Sequence, residues 1–160
     1  MFNDVKVLPL DPGPLVVVVD DEARPRSIIT RMVRSLGYPV RSCHSGRAAL
    51  SLLKGHPREV RLLLADLGMP EMDGGELAER AKDLDPSLIA MLMADPTDRH
   101  LHDLISGYGD LPFVAKPVGF ADLAEKLERL LGIPATPTIS PPSMDPPRSR
   151  RRRTSGHHEV

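Results

Sequence analysis

Only one cysteine, Cys43, stands among the 160 residues. A single thiol closes no internal disulfide, so nothing ties the chain to an oxidising compartment. Tryptophan is absent and aromatic residues make up only 3%. Hydrophobic residues still reach 41%, so the core has to be built from Leu, Val, Ile, Ala and Met. No run approaches the roughly 20 apolar residues of a membrane span. The opening MFNDVKVLPLDPGP has an early acid and no long apolar region, which argues against a secretory leader. The expected setting is cytoplasmic, away from the membrane. The phosphate-loop pattern GxxxxGK[ST] is missing, and Gly107-Tyr108-Gly109 does not extend into GxGxxG. The six histidines suggest no metal site either. His100 and His102 are two apart and share no helix face, and His157-His158 lie near the end of the chain.

What is present is unevenly distributed. The formal net charge is −1, but residues 134–160 carry five arginines against Asp145 and Glu159, leaving −4 on residues 1–133. The stretch PATPTISPPSMDPPRSRRRR holds six prolines and almost no periodic apolar residues. Such a segment buries too little surface to offset the entropy of ordering. The expected division is a flexible N-terminus over 1–12, one folded domain over 13–133, and a disordered Pro/Arg-rich tail over 134–160. The arginines of that tail suit an acidic partner or nucleic acid, or serve only to keep the chain soluble.

Inside 13–133, short apolar runs alternate with segments of helical period. LVVVV (15–19) is a continuous β-branched run, the pattern of a strand covered on both faces. Pro25 then opens a helix striped by Ile28, Ile29, Met32, Val33 and Leu36 and closed by Gly37. A strand at 39–42 leads to Ser45, the expected N-cap of a helix through Lys54. LLLA (62–65) is the third strand, followed by a helix over 75–83. IAMLM (89–93) is the fourth, followed by a weak helix near 98–106 that contains Asp98 and Asp103 and has a thin apolar stripe. FVA (113–115) is the fifth, and Phe120, Leu123, Ala124, Leu127, Leu130 and Leu131 stripe the last helix. Strict βα alternation predicts an α/β fold: a five-stranded parallel sheet, doubly wound, with helices on both faces. Such sheets bind their ligands at the carboxyl ends of the strands, near the point where strand order reverses.

Those ends carry acids. The first strand runs into Asp20-Asp21-Glu22, the third into Asp66, and the fifth into Lys116-Pro117. If the strands are neighbours, Asp20, Asp21 and Asp66 converge with Lys116 beside them. Carboxylates so close raise one another's pKa unless they share protons or a cation neutralises them. A hard divalent ion such as Mg²⁺ suits oxygen ligands. A carboxylate beside such an ion and a lysine is placed to attack a phosphoryl group. Glu22 either approaches the ion or faces solvent. Asp73 and Gly74 read as a turn and the entry to the third helix.

Over about 14–132 the chain resembles the receiver (CheY-like) domain of bacterial two-component response regulators. The matching residues are VVVVDDE, DLGMPEMDG and FVAKP, on three strand ends spaced 46 residues (20 to 66) and 50 residues (66 to 116) apart. The resemblance implies a flavodoxin-like (βα)5 fold and phosphorylation of Asp66 by a histidine kinase or histidine phosphotransfer protein. It also implies that Mg²⁺ is bound by Asp21, Asp66 and the backbone carbonyl of Gly68, with Asp20 acting through water. Lys116 would hold the phosphoryl oxygens, and the Lys116-Pro117 peptide would be cis. Such a domain signals and is no conventional enzyme. It reaches its downstream target, and in some cases a second copy of itself, through the face formed by the fourth helix, fifth strand and fifth helix. No output module follows the receiver residues, so the expected role is that of a stand-alone regulator.

One position departs from the family. A Thr or Ser usually ends the fourth strand; here the spacing puts Ala94 there, or Met93 if the alignment slides by one residue, and neither has a hydroxyl. The nearest hydroxyl, on Thr97, lies three residues further along. The switch aromatic is Phe113, apolar and expected to be buried. These departures predict atypical switching, and they suggest as an alternative a binding module that works without phosphorylation. A phosphatase of the haloacid-dehalogenase type, also built on an aspartate nucleophile and Mg²⁺, would need a DxD pattern that Asp20-Asp21-Glu22-Ala23 does not provide.

Overall fold

The computed structural model describes residues 13–99, 101–109 and 111–132. The expectations for the two chain ends therefore lie outside the described residues. Ten elements alternate along the chain: β1 (Leu15–Val19), α1 (Ala23–Ser35), β2 (Val40–Cys43), α2 (Gly46–Gly55), β3 (Val60–Asp66), α3 (Gly74–Leu84), β4 (Ile89–Ala94), α4 (Leu101–Gly107), β5 (Phe113–Ala115) and α5 (Phe120–Leu131). The sheet has the order β2-β1-β3-β4-β5 and every pairing is parallel.

The strand patterns explain why both faces are covered. Successive side chains on a strand point to opposite faces, so Val16 and Val18 join Leu62, Leu64, Met91, Met93 and Val114 on one side. Ile29 and Val33 of α1 and Leu123 and Leu127 of α5 close over them. Val17, Val19, Leu63, Ala65, Leu92 and Ala94 face the other way, against Ala49 and Leu53 of α2, Leu77 and Ala81 of α3, and Leu101 of α4. With both faces apolar, the central strands read as unbroken hydrophobic runs.

The helix ends follow from local chemistry. Ser45 Oγ accepts from the Ala48 amide at 3.1 Å, the capping contact that orders the first turn of α2. Asp73 Oδ1 does the same for α3, accepting from the Glu76 amide at 2.8 Å. Gly37, at φ +90°, ends α1 with its amide on the Arg34 carbonyl at 3.0 Å, in the left-handed conformation that glycine tolerates best.

Three expectations need correction. The first helix begins two residues before Pro25, at Ala23; Pro25 falls in the first turn, where a missing N–H costs nothing. The weak helix begins at Leu101, because Asp95 holds the preceding turn. Its Oδ1 accepts from the Thr97 amide at 2.8 Å and hydroxyl at 2.7 Å, and its carbonyl accepts from the Asp98 amide at 3.1 Å. Phe113 is exposed, at 39%. It sits on an edge strand of three residues, on the sheet face whose nearest helix, α4, has only seven residues.

Candidate functional site

Strand β1 pairs with both β2 and β3, so the order of connection reverses between β1 and β3. The residues following those strands frame the crevice at the carboxyl edge. Asp20 follows β1 directly and is fully buried. Its amide donates to the Cys43 carbonyl at 3.2 Å, and its Oδ1 accepts from the Glu22 amide at 2.9 Å. Arg26, one turn into α1, donates to the Asp20 carbonyl at 2.7 Å. The backbone around Asp20 is thus fixed from both sides.

Asp66 ends β3 and is 6% exposed. Its Oδ1 lies 2.6 Å from Lys116 Nζ and accepts a long bond from the Gly68 amide at 3.4 Å. Lys116 Nζ also lies 3.8 Å from Asp20 Oδ2. Asp21 is exposed, and a ligand atom from each of Asp20, Asp21 and Asp66 falls within 4.8 Å of the other two. The structure therefore gathers the three acids and the lysine named from the sequence. The Lys116-Pro117 peptide is cis, and the Lys116 amide donates to the Ala94 carbonyl at 2.8 Å.

Electrostatics single out Asp20. Burial pushes its carboxyl up from the ordinary value; the Glu22 amide offsets part of this, and the charge of Asp66 adds to it. Its Oδ2 is a buried acceptor with no hydrogen-bond partner among the described residues. A native fold rarely leaves such an atom unsatisfied, and a bound ion or water is its usual partner.

The other named positions are also placed. Ala94 is buried and carries no hydroxyl, while the Thr97 hydroxyl is already given to Asp95. Those contacts hold the Asp95 carboxyl below the usual range, with the nearby Lys116 charge contributing less. Glu22 is exposed. Sequence reasoning missed Asp95 as a neighbour of Lys116. It also missed Tyr108, whose hydroxyl donates to Asp73 Oδ2 at 3.1 Å across 35 residues. Periodicity carries no signal for a contact made by a residue just beyond a helix end.

A doubly wound parallel sheet with three acids and a lysine at the switch point belongs to the class of folds that place charged-ligand chemistry at the strand ends. A sequence profile described as the response regulator receiver domain matches residues 16–128, and the chain belongs to that family. Among relatives, it is 31% identical to the response regulator receiver protein CpdR of Brucella abortus (strain 2308), over 72% of this chain and 95% of that protein. It is 32% identical to the two-component response regulator ORR3 of Oryza sativa subsp. indica, over 76% of this chain and 93% of that one. Among solved structures, the chemotaxis protein CheY4 of Vibrio cholerae aligns with a TM-score of 0.66 at 21% identity, over 74% of this chain and 99% of that one. A response regulator from Chloroflexus aurantiacus gives 0.67 at 22%, over 76% and 99%. These two structures bear on the fold alone. Among the described residues no helix is long and apolar enough to cross a membrane.

Proposed function

We propose that this receiver takes a phosphoryl group from a phosphohistidine onto Asp66, in a Mg²⁺-dependent two-component system or phosphorelay of the cytoplasm. The observation that carries this reading is the contact of Lys116 Nζ with Asp66 Oδ1 at 2.6 Å beside a buried, unsatisfied Asp20 oxygen. A nucleophile, a cation for the transferred oxygens and an acidic pocket for a metal meet at one sheet edge. In the transfer, an Asp66 carboxylate oxygen bonds to phosphorus as the bond to the donor's imidazole nitrogen breaks, its electron pair staying on the ring. Lys116 spreads its charge over the phosphoryl oxygens and stabilises them where they become more negative.

Asp20, Asp21 and Asp66 are the side chains to hold Mg²⁺, with the Gly68 carbonyl completing the protein ligands. The donor set is all oxygen, as a hard cation requires. When bound, the ion would neutralise phosphoryl charge and offset the repulsion among the acids. The protein donor, a histidine kinase or phosphotransfer protein, has an approach along a groove of about 470 Å³ whose lining includes Arg24, Ile28, Lys116, Pro117 and Val118. Half of the Ile28 surface is exposed there, at 48%. The downstream protein, or a second copy, would meet the face of α4, β5 and α5, where Phe113 is exposed.

The reading is tested by mobility on a phosphate-affinity gel after incubation with a small-molecule phosphodonor. A Mg²⁺-dependent shift is expected in the native chain and none in Asp66→Ala; equal shifts in both would remove Asp66 as acceptor.

Switching is the atypical part. Ala94 provides no hydroxyl to bond the phosphoryl group, and a hydrogen bond to a charged group is worth about 1.5–3 kcal/mol, at least ten-fold in the population of the switched state. Ala94→Thr should therefore enlarge the spectral change that follows phosphorylation. An unchanged response would mean that the missing hydroxyl does not limit the switch. The same absence favours the second reading, a phosphorylation-independent protein-binding module, for which partner affinity would be identical in Asp66→Ala.

A further inference from the structure

The loop after the acceptor is tied to the fourth helix by one tyrosine. Gly74 opens α3 against the acceptor itself: a Cβ there would stand 2.5 Å from the Asp66 carbonyl oxygen and 3.2 Å from Leu67 Cα. The Gly74 amide donates to the Leu67 carbonyl at 3.3 Å, and the Leu67 amide to the Met93 carbonyl at 2.9 Å. A displacement of the Asp66 peptide is thus passed to the first turn of α3 with little slack, since close-packed backbone has no room to absorb it.

Tyr108 meets that turn at two points. Its ring lies where a side chain at Gly75 would go, and a Cβ at Gly75 would overlap it. Its hydroxyl donates to Asp73 Oδ2 at 3.1 Å, while Asp73 Oδ1 caps the helix through the Glu76 amide. One carboxylate therefore joins the start of α3 to the residue that follows the last residue of α4. Burial and the bond to Asp73 raise the phenol's pKa.

We infer that Tyr108 is a positioning residue: acting through Asp73 and Gly75, it makes the acceptor loop and α4 move as one unit, a route that does not use a hydroxyl at position 94. This rests on the proposed phosphorylation of Asp66 only for what sets the unit in motion. The mechanical link is a property of the resting chain.

The test has two arms, both on the full chain. In the resting chain, amide hydrogen exchange reads the opening of each segment. Tyr108→Phe keeps the ring and removes the bond to a charged acceptor, so it should speed exchange about ten-fold in both 68–77 and 101–107. In Asp73→Asn/Tyr108→Phe the effect should be no larger than in the worse single variant, because coupled residues are not additive. Faster exchange confined to 101–107, or additive effects, would overturn the inference and leave Tyr108 a local packing residue.

The second arm uses tyrosine emission, since the chain has two tyrosines and no tryptophan. In Tyr38→Phe, Tyr108 is the sole fluorophore. Mg²⁺ with beryllofluoride, a phosphoryl mimic, should change its emission, and Asp66→Ala should abolish the change. Constant emission in a chain that the phosphate-affinity gel shows to take up phosphate would overturn the inference. If the gel shows no uptake, the proposed function fails, and the exchange arm alone decides the link.

Discussion

Replacing Asp20 with Asn should raise the melting temperature of the metal-free chain by at least about 3 °C. Asp20 is fully buried, one of its oxygens has no hydrogen-bond partner among the described residues, and the cation that pairs with its carboxylate, Lys116, stands 3.8 Å away while pairing more closely with Asp66. An unsatisfied buried group costs about 1–3 kcal/mol, more if charged, and 1 kcal/mol moves a domain of this size by about 3–6 °C. Asparagine keeps the shape, retains a carbonyl for the Glu22 amide and removes the charge. Mg²⁺ should act in the opposite sense. At about 100 times its Kd it stabilises the native chain by roughly 2.7 kcal/mol, and most of that increment should vanish in Asp20→Asn. Thermal melts with and without Mg²⁺ check both halves, and a variant that melts lower than the native chain without metal would show that the charge is satisfied in a way this geometry does not provide.

Removing Lys116 should have the larger effect on chemistry. Its Nζ is the one side-chain cation paired with Asp66 among the described residues, and the loss of a single preorganised donor to developing oxyanion charge typically slows a reaction about 10²–10³-fold. Lys116→Ala should slow phosphorylation by a small-molecule donor by about two orders of magnitude while leaving Mg²⁺ binding measurable, because Asp20, Asp21 and Asp66 remain. Stopped-flow or gel time courses read the rate. A rate within about three-fold of native would assign the charge stabilisation elsewhere.

The strands at the centre of the sheet were legible because burial on both faces leaves an unbroken apolar run, as in Leu62-Leu63-Leu64 and Val16-Val17-Val18-Val19. The ends of the first, third and fifth strands are legible too, since those runs stop at Asp20, Asp66 and Lys116, and the order of these residues along the chain brings them to one edge. Features that depend on distance in space rather than period in sequence were not. Phe113 read as core because it is apolar, yet it lies on an edge strand that a short helix fails to cover. The start of α4 was set by the side chain of Asp95, a tertiary-independent but local bond that hydropathy does not register. The contact of Tyr108 with Asp73 and Gly75 joins residues more than 30 positions apart, and a glycine in the first turn of a helix was its only trace.

Which residue carries the phosphoryl group is read by trapping the acylphosphate in place. The chain is incubated with Mg²⁺ and a phosphodonor, the acylphosphate is reduced with borohydride to leave a stable homoserine, and the digested peptides are sequenced by mass spectrometry. Conversion is expected at residue 66, dependent on Mg²⁺ and absent in Asp66→Ala. Conversion at Asp20 or Asp21 instead, or none with either a small-molecule donor or a phosphohistidine protein, would contradict the assignment of Asp66 as acceptor.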